Sequence, residues 1–179
     1  MAKQNSTNDK SPYFWAMARI LLGFTLLWAF FDKLLGLGFA TCRDAETNTV
    51  TMLCEKAWIN GGSPTTGFLE FATKGPFADF YQGLAGNTFV DVLFMAGLLL
   101  IGFALIAGIG MRIATISGVL LFMMMWSAMI LPENNPIIDD HVIYSVVLLG
   151  LLAANDRQVW GLRSWWVKQS LVKRFPILE

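Results

Sequence analysis

Residues 89–109 read FVDVLFMAGLLLIGFALIAGI, and this stretch decides the fold class. Its one charge, Asp91, lies in the first turn, and everything after it is apolar. Roughly 20 such residues, rising 1.5 Å each, cross the ~30 Å of hydrocarbon in a bilayer. No water is available there to bond the backbone, so the run must be a helix that satisfies its own N–H and C=O groups.

Three further runs share this character. Residues 14–39 carry Arg19 near one end and Asp32–Lys33 near the other. Residues 113–131 hold no charge, and residues 137–154 open on Asp139, Asp140 and His141. The expectation is an all-α, integral membrane four-helix bundle forming a single domain over 1–179. Spans two and three meet at the tight turn Gly108-Ile109-Gly110-Met111-Arg112. Spans three and four meet at Pro132-Glu133-Asn134-Asn135-Pro136, where two prolines stop one helix and start the next. Spans one and two are separated by the much longer segment 40–88, which is expected to form an outer-side loop subdomain.

Composition agrees. Hydrophobic residues make up 55% and charged residues 15%, against about 25% charge in soluble domains. A formal net charge of zero suggests no nucleic-acid partner. With one histidine and two cysteines the chain cannot supply bis-histidine haem ligation or a four-thiolate metal site, and no metal is expected. The polar residues 1–12 do not read as a cleavable signal peptide.

Lys and Arg set the orientation. Nine (Lys3, Lys10, Arg19, Arg112, Arg157, Arg163, Lys168, Lys173 and Arg174) collect on one side, and four (Lys33, Arg43, Lys56 and Lys74) on the other. The richer side should be cytoplasmic, with both termini there. In 157–179, Trp165 and Trp166 alternate with basic residues, as in an interfacial segment lying on an anionic leaflet.

In 40–88, Cys42 and Cys54 would face an oxidising compartment, which favours a structural disulfide over a redox-active pair. Segments 68–73 and 76–84 suit short helices, with Pro76 at a first helical position. Phe68, Phe71, Phe77, Phe80 and Tyr81 make this region a packed cap or a lid over a site beneath it.

Such a site would lie among the charges at the outer boundary. A charge in hydrocarbon costs about 2.5–3.5 kcal/mol or more, so it turns inward and seeks a partner. Lys33 should pair with a carboxylate such as Asp32 or Asp140. His141 either caps the fourth helix or shuttles protons. With Tyr144 on the same helix and Trp28 and Trp126 at a similar level, these residues would suit a quinone ring and its oxygens. At the other end Arg19 is expected to snorkel to the headgroups. Gly97, Gly102, Gly118 and Gly150 are expected to permit close packing. Met123, Met124, Met125 and Met129 read as lipid or core contacts.

Four stretches carry a resemblance: Arg19-Ile20-Leu21-Leu22-Gly23 with Asp32-Lys33-Leu34; Trp58 with Asn60-Gly61-Gly62-Ser63-Pro64-Thr65 and Gly67-Phe68-Leu69; Gly108-Ile109-Gly110-Met111-Arg112-Ile113-Ala114; and Asn135-Pro136-Ile137-Ile138-Asp139-Asp140-His141-Val142-Ile143-Tyr144. In this order they resemble the DoxX/DoxD family of small membrane proteins. The resemblance implies a four-helix membrane fold. It also implies a role as the DoxD-like subunit of a thiosulfate:quinone oxidoreductase, which oxidises two thiosulfates to tetrathionate and passes electrons to quinone. On that reading the chain is a thiosulfate dehydrogenase (quinone) subunit in a prokaryotic plasma (inner) membrane. Quinone is the acceptor and the only cofactor, a small sulfur anion is the donor, and a second membrane or outer-side redox subunit is the partner. The alternative is a non-catalytic membrane scaffold for a redox or stress-response partner.

Overall fold

The computed structural model describes residues 10–130, 135 and 137–179. The polar tail before Lys10 and most of the two-proline turn lie outside the described residues. The described residues form helices and turns with no named strand, only the isolated bridges Arg43–Val50 and Lys74–Met129.

Helix α1, Ser11–Leu35, starts with a proline in its first turn and buries Ala16, Arg19, Gly23, Leu26 and Phe30. Their spacing of three and four residues makes one continuous inward stripe. The expected span reached residue 39, but the helix stops at Gly36, whose left-handed φ of 64° ends it. A Cβ on Gly36 would also lie 2.3 Å from the Cys42 sulfur, so the turn needs glycine twice over.

Helix α2, Thr66–Phe71, and helix α3, Ala78–Gln82, follow in the intervening chain; α3 begins two residues after Pro76. Helix α4, Thr88–Ala107, is capped by the Asn87 side chain, which accepts from the N–H groups of Phe89 and Val90. Helix α5, Met111–Ala128, is separated from it only by the turn at 108–110. Helix α6 runs Asp140–Ala153. Beyond it come helix α7, Arg163–Trp166, helix α8, Ser170–Arg174, and a closing 3-10 turn, Pro176–Leu178.

Helices α1, α4 and α5 are each long and apolar enough to cross a membrane. Helix α6 is apolar but has 14 residues, about 21 Å at 1.5 Å per residue. Its N-terminus is set by Asp139, whose carboxylate accepts from the N–H groups of His141 and Val142. Helix α1 packs along α4, α4 along α5, and α5 along α6, with α6 returning to α1. The core between them is apolar: Leu22, Leu26, Phe30, Met95, Leu98, Ile101, Leu105, Phe122 and Leu148 are all buried. Away from it, large side chains such as Phe24, Leu93, Leu100, Leu120 and Val146 are exposed. An apolar exterior around an apolar core is the pattern of a protein whose solvent is lipid.

The helix ends differ. At one, here called the cap end, residues 36–87 connect α1 to α4. At the other, the turn end, the 108–110 loop meets the C-terminal segment.

Candidate functional site at the cap end

Residues 36–87 are pinned to the helices by carboxylates. Asp32, 2% exposed, accepts from the N–H groups of Phe39 at 2.9 Å and Ala40 at 2.8 Å. It therefore folds the chain back after α1. Cys42 and Cys54 form a disulfide. Between them Asp44 accepts from the Thr47 N–H and hydroxyl and from the Glu46 N–H, which holds its carboxyl below the ordinary carboxylate range.

Asp91, buried in the first turn of α4, accepts from the hydroxyls of Ser63 at 2.8 Å and Thr65 at 2.6 Å. This fixes the start of α2. Farther along, Tyr81 shares a 2.6 Å hydrogen bond with Ser127 on α5, and the Lys74 N–H donates to the Ala128 oxygen. Leu69, Tyr81 and Ala128 form a second small core beneath these short helices.

Of the residues expected to share a chamber, the structure brings some together. His141 and Tyr144 both face Phe122 of α5, with ring centroids 6.1 and 5.5 Å from it. The His141 Nδ1 lies 2.7 Å from an Asp139 carboxylate oxygen. The cap of α6 is thus Asp139, and His141 leans back on that cap. Trp126, on the next turn of α5, donates from its indole to the Ile137 oxygen at 2.8 Å.

The others are placed elsewhere. Trp28 lies two residues beyond Leu26, about 200° round a helix, and so faces away from the core. It stacks on Phe24 and meets Phe39 edge-on, with 37% of its surface exposed. Asp140 is exposed, because the inward face of α6 runs His141, Ser145, Leu148 and Leu151, and Asp140 stands one residue off it. Asp32 is consumed by the turn it closes. Lys33, three residues after Phe30, continues the inward stripe of α1 and is half-buried. Among the described residues no ion pair holds its ammonium, and no hydrogen bond joins it to Asp140, His141 or Tyr144. Asp32 and Asp91 instead accept from the N–H groups of Phe39 and Ala40 and from the hydroxyls of Ser63 and Thr65, and Asp32 acts on Lys33 only as a neighbouring charge. Two cavities lie apart from this group. One of about 500 Å³ opens on the cap between Thr66, Glu70, Gln82, Ala85 and Gly86. The other, of about 10 Å³, sits at the turn end beside Arg19 and Gln158.

Arg19 departs most from expectation. It does not snorkel. It is 1% exposed and donates to the carbonyl oxygens of Leu105, Ile106 at 2.9 Å and Trp160 at 2.8 Å. The last carbonyls of α4 have no intrahelical partner and carry the negative end of its dipole, so an inward cation there is favourable. Two roles escaped the sequence reading. Asp139 stood in view as an N-cap, an aspartate just before an apolar periodic run. Phe122 gave no local signal.

Comparison with family models, with curated proteins and with solved structures found no match to this chain.

Proposed function

We propose that this chain is a four-span membrane subunit of a redox assembly, in which quinone exchanges protons at the His141–Asp139 pair. The observation that carries the reading is that pair, 2.7 Å apart, set beside the rings of Phe122 and Tyr144. An aromatic face suits a quinone ring, and an imidazole held by a carboxylate suits proton transfer to its oxygen. Lys33, on the inward face of α1 with no described ion pair, is the cation toward which a sulfur anion would be drawn.

In the reaction two thiosulfates lose one electron each and join through a new S–S bond. Quinone takes the two electrons and two protons to become quinol. On this reading a partner subunit carries the electrons between them. The excess of Lys and Arg at the turn end and a disulfide at the cap end both support a cytoplasmic turn end in a prokaryotic inner membrane. Helix α6, lengthened by its flanking residues, is the fourth crossing, and 36–87 is the outer cap.

The test is donor-dependent quinone reduction in membranes carrying His141→Gln or Lys33→Ala at normal protein level. Loss of a general acid–base group costs roughly 10²–10⁴-fold. Unchanged turnover in the histidine variant would defeat the proposal.

One observation favours a second reading, a non-catalytic scaffold: the buried carboxylates Asp32 and Asp91 are both spent on holding the cap. That reading expects a stable complex on affinity purification and no turnover in any reconstitution.

A further inference from the structure

The C-terminal segment is built onto the turn end. The Leu162 N–H donates to the Ala107 oxygen at 2.8 Å, and the Arg112 N–H to the Glu179 oxygen at 3.1 Å. The Glu179 carboxylate pairs with both Arg112 and Arg163, and Arg163 also reaches Asp156. The Trp166 indole donates to the Leu178 oxygen, and Val172 is 4% exposed. The segment therefore has one face fixed against the helices.

Its other face mixes two chemistries. Trp160, Trp165, Leu171 and Phe175 are each about half or more exposed. Lys168, Lys173 and Arg174 are exposed, and no described carboxylate pairs with any of them. Arg112 and Arg163 have carboxylate partners, so among the described residues of 160–175 these three cations carry the uncompensated charge. Water suits the cations and not the rings, whereas a zwitterionic lipid suits the rings and leaves the charge unbalanced.

We propose that residues 160–175 form a docking surface for anionic lipid headgroups, with the rings in the interfacial layer and Lys168, Lys173 and Arg174 on the phosphates. The proposal rests on the membrane-spanning part of the reading above and is independent of the redox part. Indole rings prefer the headgroup level, and each cation near an anionic surface is favoured by up to about fivefold. The Arg174 guanidinium, 5.5 Å from the Phe175 ring, keeps charge and ring side by side.

The test uses the full chain in nanodiscs of phosphatidylcholine, with either brominated phosphatidylglycerol or brominated phosphatidylcholine as quencher at equal mole fraction. The difference between the wild type and Trp165→Phe isolates Trp165. Phosphatidylglycerol should quench it several-fold more strongly, and the preference should fall as salt is raised. The triple variant Lys168→Gln/Lys173→Gln/Arg174→Gln should still be quenched, equally by both lipids. Should that variant misfold, the salt titration of the wild type decides. Equal quenching in the wild type, or a preference that survives both salt and the triple variant, overturns the proposal. So does an unquenched Trp165 beside a quenched Trp28, the latter isolated in the same way with Trp28→Phe, the result expected if this face stands clear of the lipid. If neither tryptophan is quenched, the spanning reading itself has failed.

Discussion

The guanidinium of Arg19, midway through the first turns of α1, donates to the carbonyl oxygen of Ile106 at the last turn of α4, 2.9 Å away. The same side chain reaches Leu105 and, through its other nitrogen, Trp160. One residue thus ties α1, the end of α4 and the start of the C-terminal segment. Replacing it with Met keeps a shorter, unbranched apolar stem and removes every donor. A hydrogen bond to a charged group contributes about 1.5–3 kcal/mol, and buried acceptors would be left bare. Arg19→Met should lower the thermal unfolding midpoint in detergent markedly. Arg19→Lys should rescue little, because an ammonium lacks the planar fork that spans both carbonyl groups. A wild-type midpoint for the Met variant would show that the tie is dispensable.

Asp91 plays the matching part at the cap end. Its carboxylate is the acceptor for both Ser63 and Thr65. Asp91→Ala would leave those hydroxyls without their acceptor and release the entry to α2. Hydrogen exchange should rise over about 63–86 and stay unchanged in α5 and α6. Uniform exchange along the chain, or none, would contradict this division.

The disulfide closes a short loop, Cys42 to Cys54, over the end of α1. Constraining a loop of that length is worth roughly 3 kcal/mol to the local structure. A Cys42→Ala/Cys54→Ala variant should become sensitive to limited proteolysis within 36–60 while the long helices persist by circular dichroism. Collapse of the helical signal would assign the bridge a larger role than its position suggests.

The helices were legible because lipid demands long apolar runs, and residues 89–109 and 113–131 obey that demand without ambiguity. Their ends fell within a few residues of the expectation, at Gly36 where 39 was expected and at Asn87 just before 89, although neither residue had been read as the marker. The site was less legible. Placing Trp28 requires the rotation of α1, which follows from the stripe Ala16–Arg19–Gly23–Leu26–Phe30 and not from membrane depth. Arg19 was misread for a related reason. A lone cation near a helix end does suit headgroups, but its partners here are orphan carbonyls 86 and 87 residues away, which only the packing of α1 on α4 brings near. His141 and Tyr144 were legible as neighbours, since they share one helix three residues apart.

That packing has its own test at Gly23 and Gly102. A Cβ on Gly102 would stand 3.0 Å from the Gly23 oxygen and 2.9 Å from Leu27. The Leu27 side chain can turn aside, but the Gly23 backbone cannot move without shifting α1 along α4. The shift would carry Arg19, four residues from Gly23, off the carbonyls at 105 and 106. Overpacking of this kind typically costs about 1–3 kcal/mol. Gly102→Ala should therefore lower the unfolding midpoint, and combining it with Arg19→Met should cost less than the two separate losses added together. The double-mutant cycle measures this directly. Strict additivity would mean that the close approach and the arginine tie stabilise the helix pair independently.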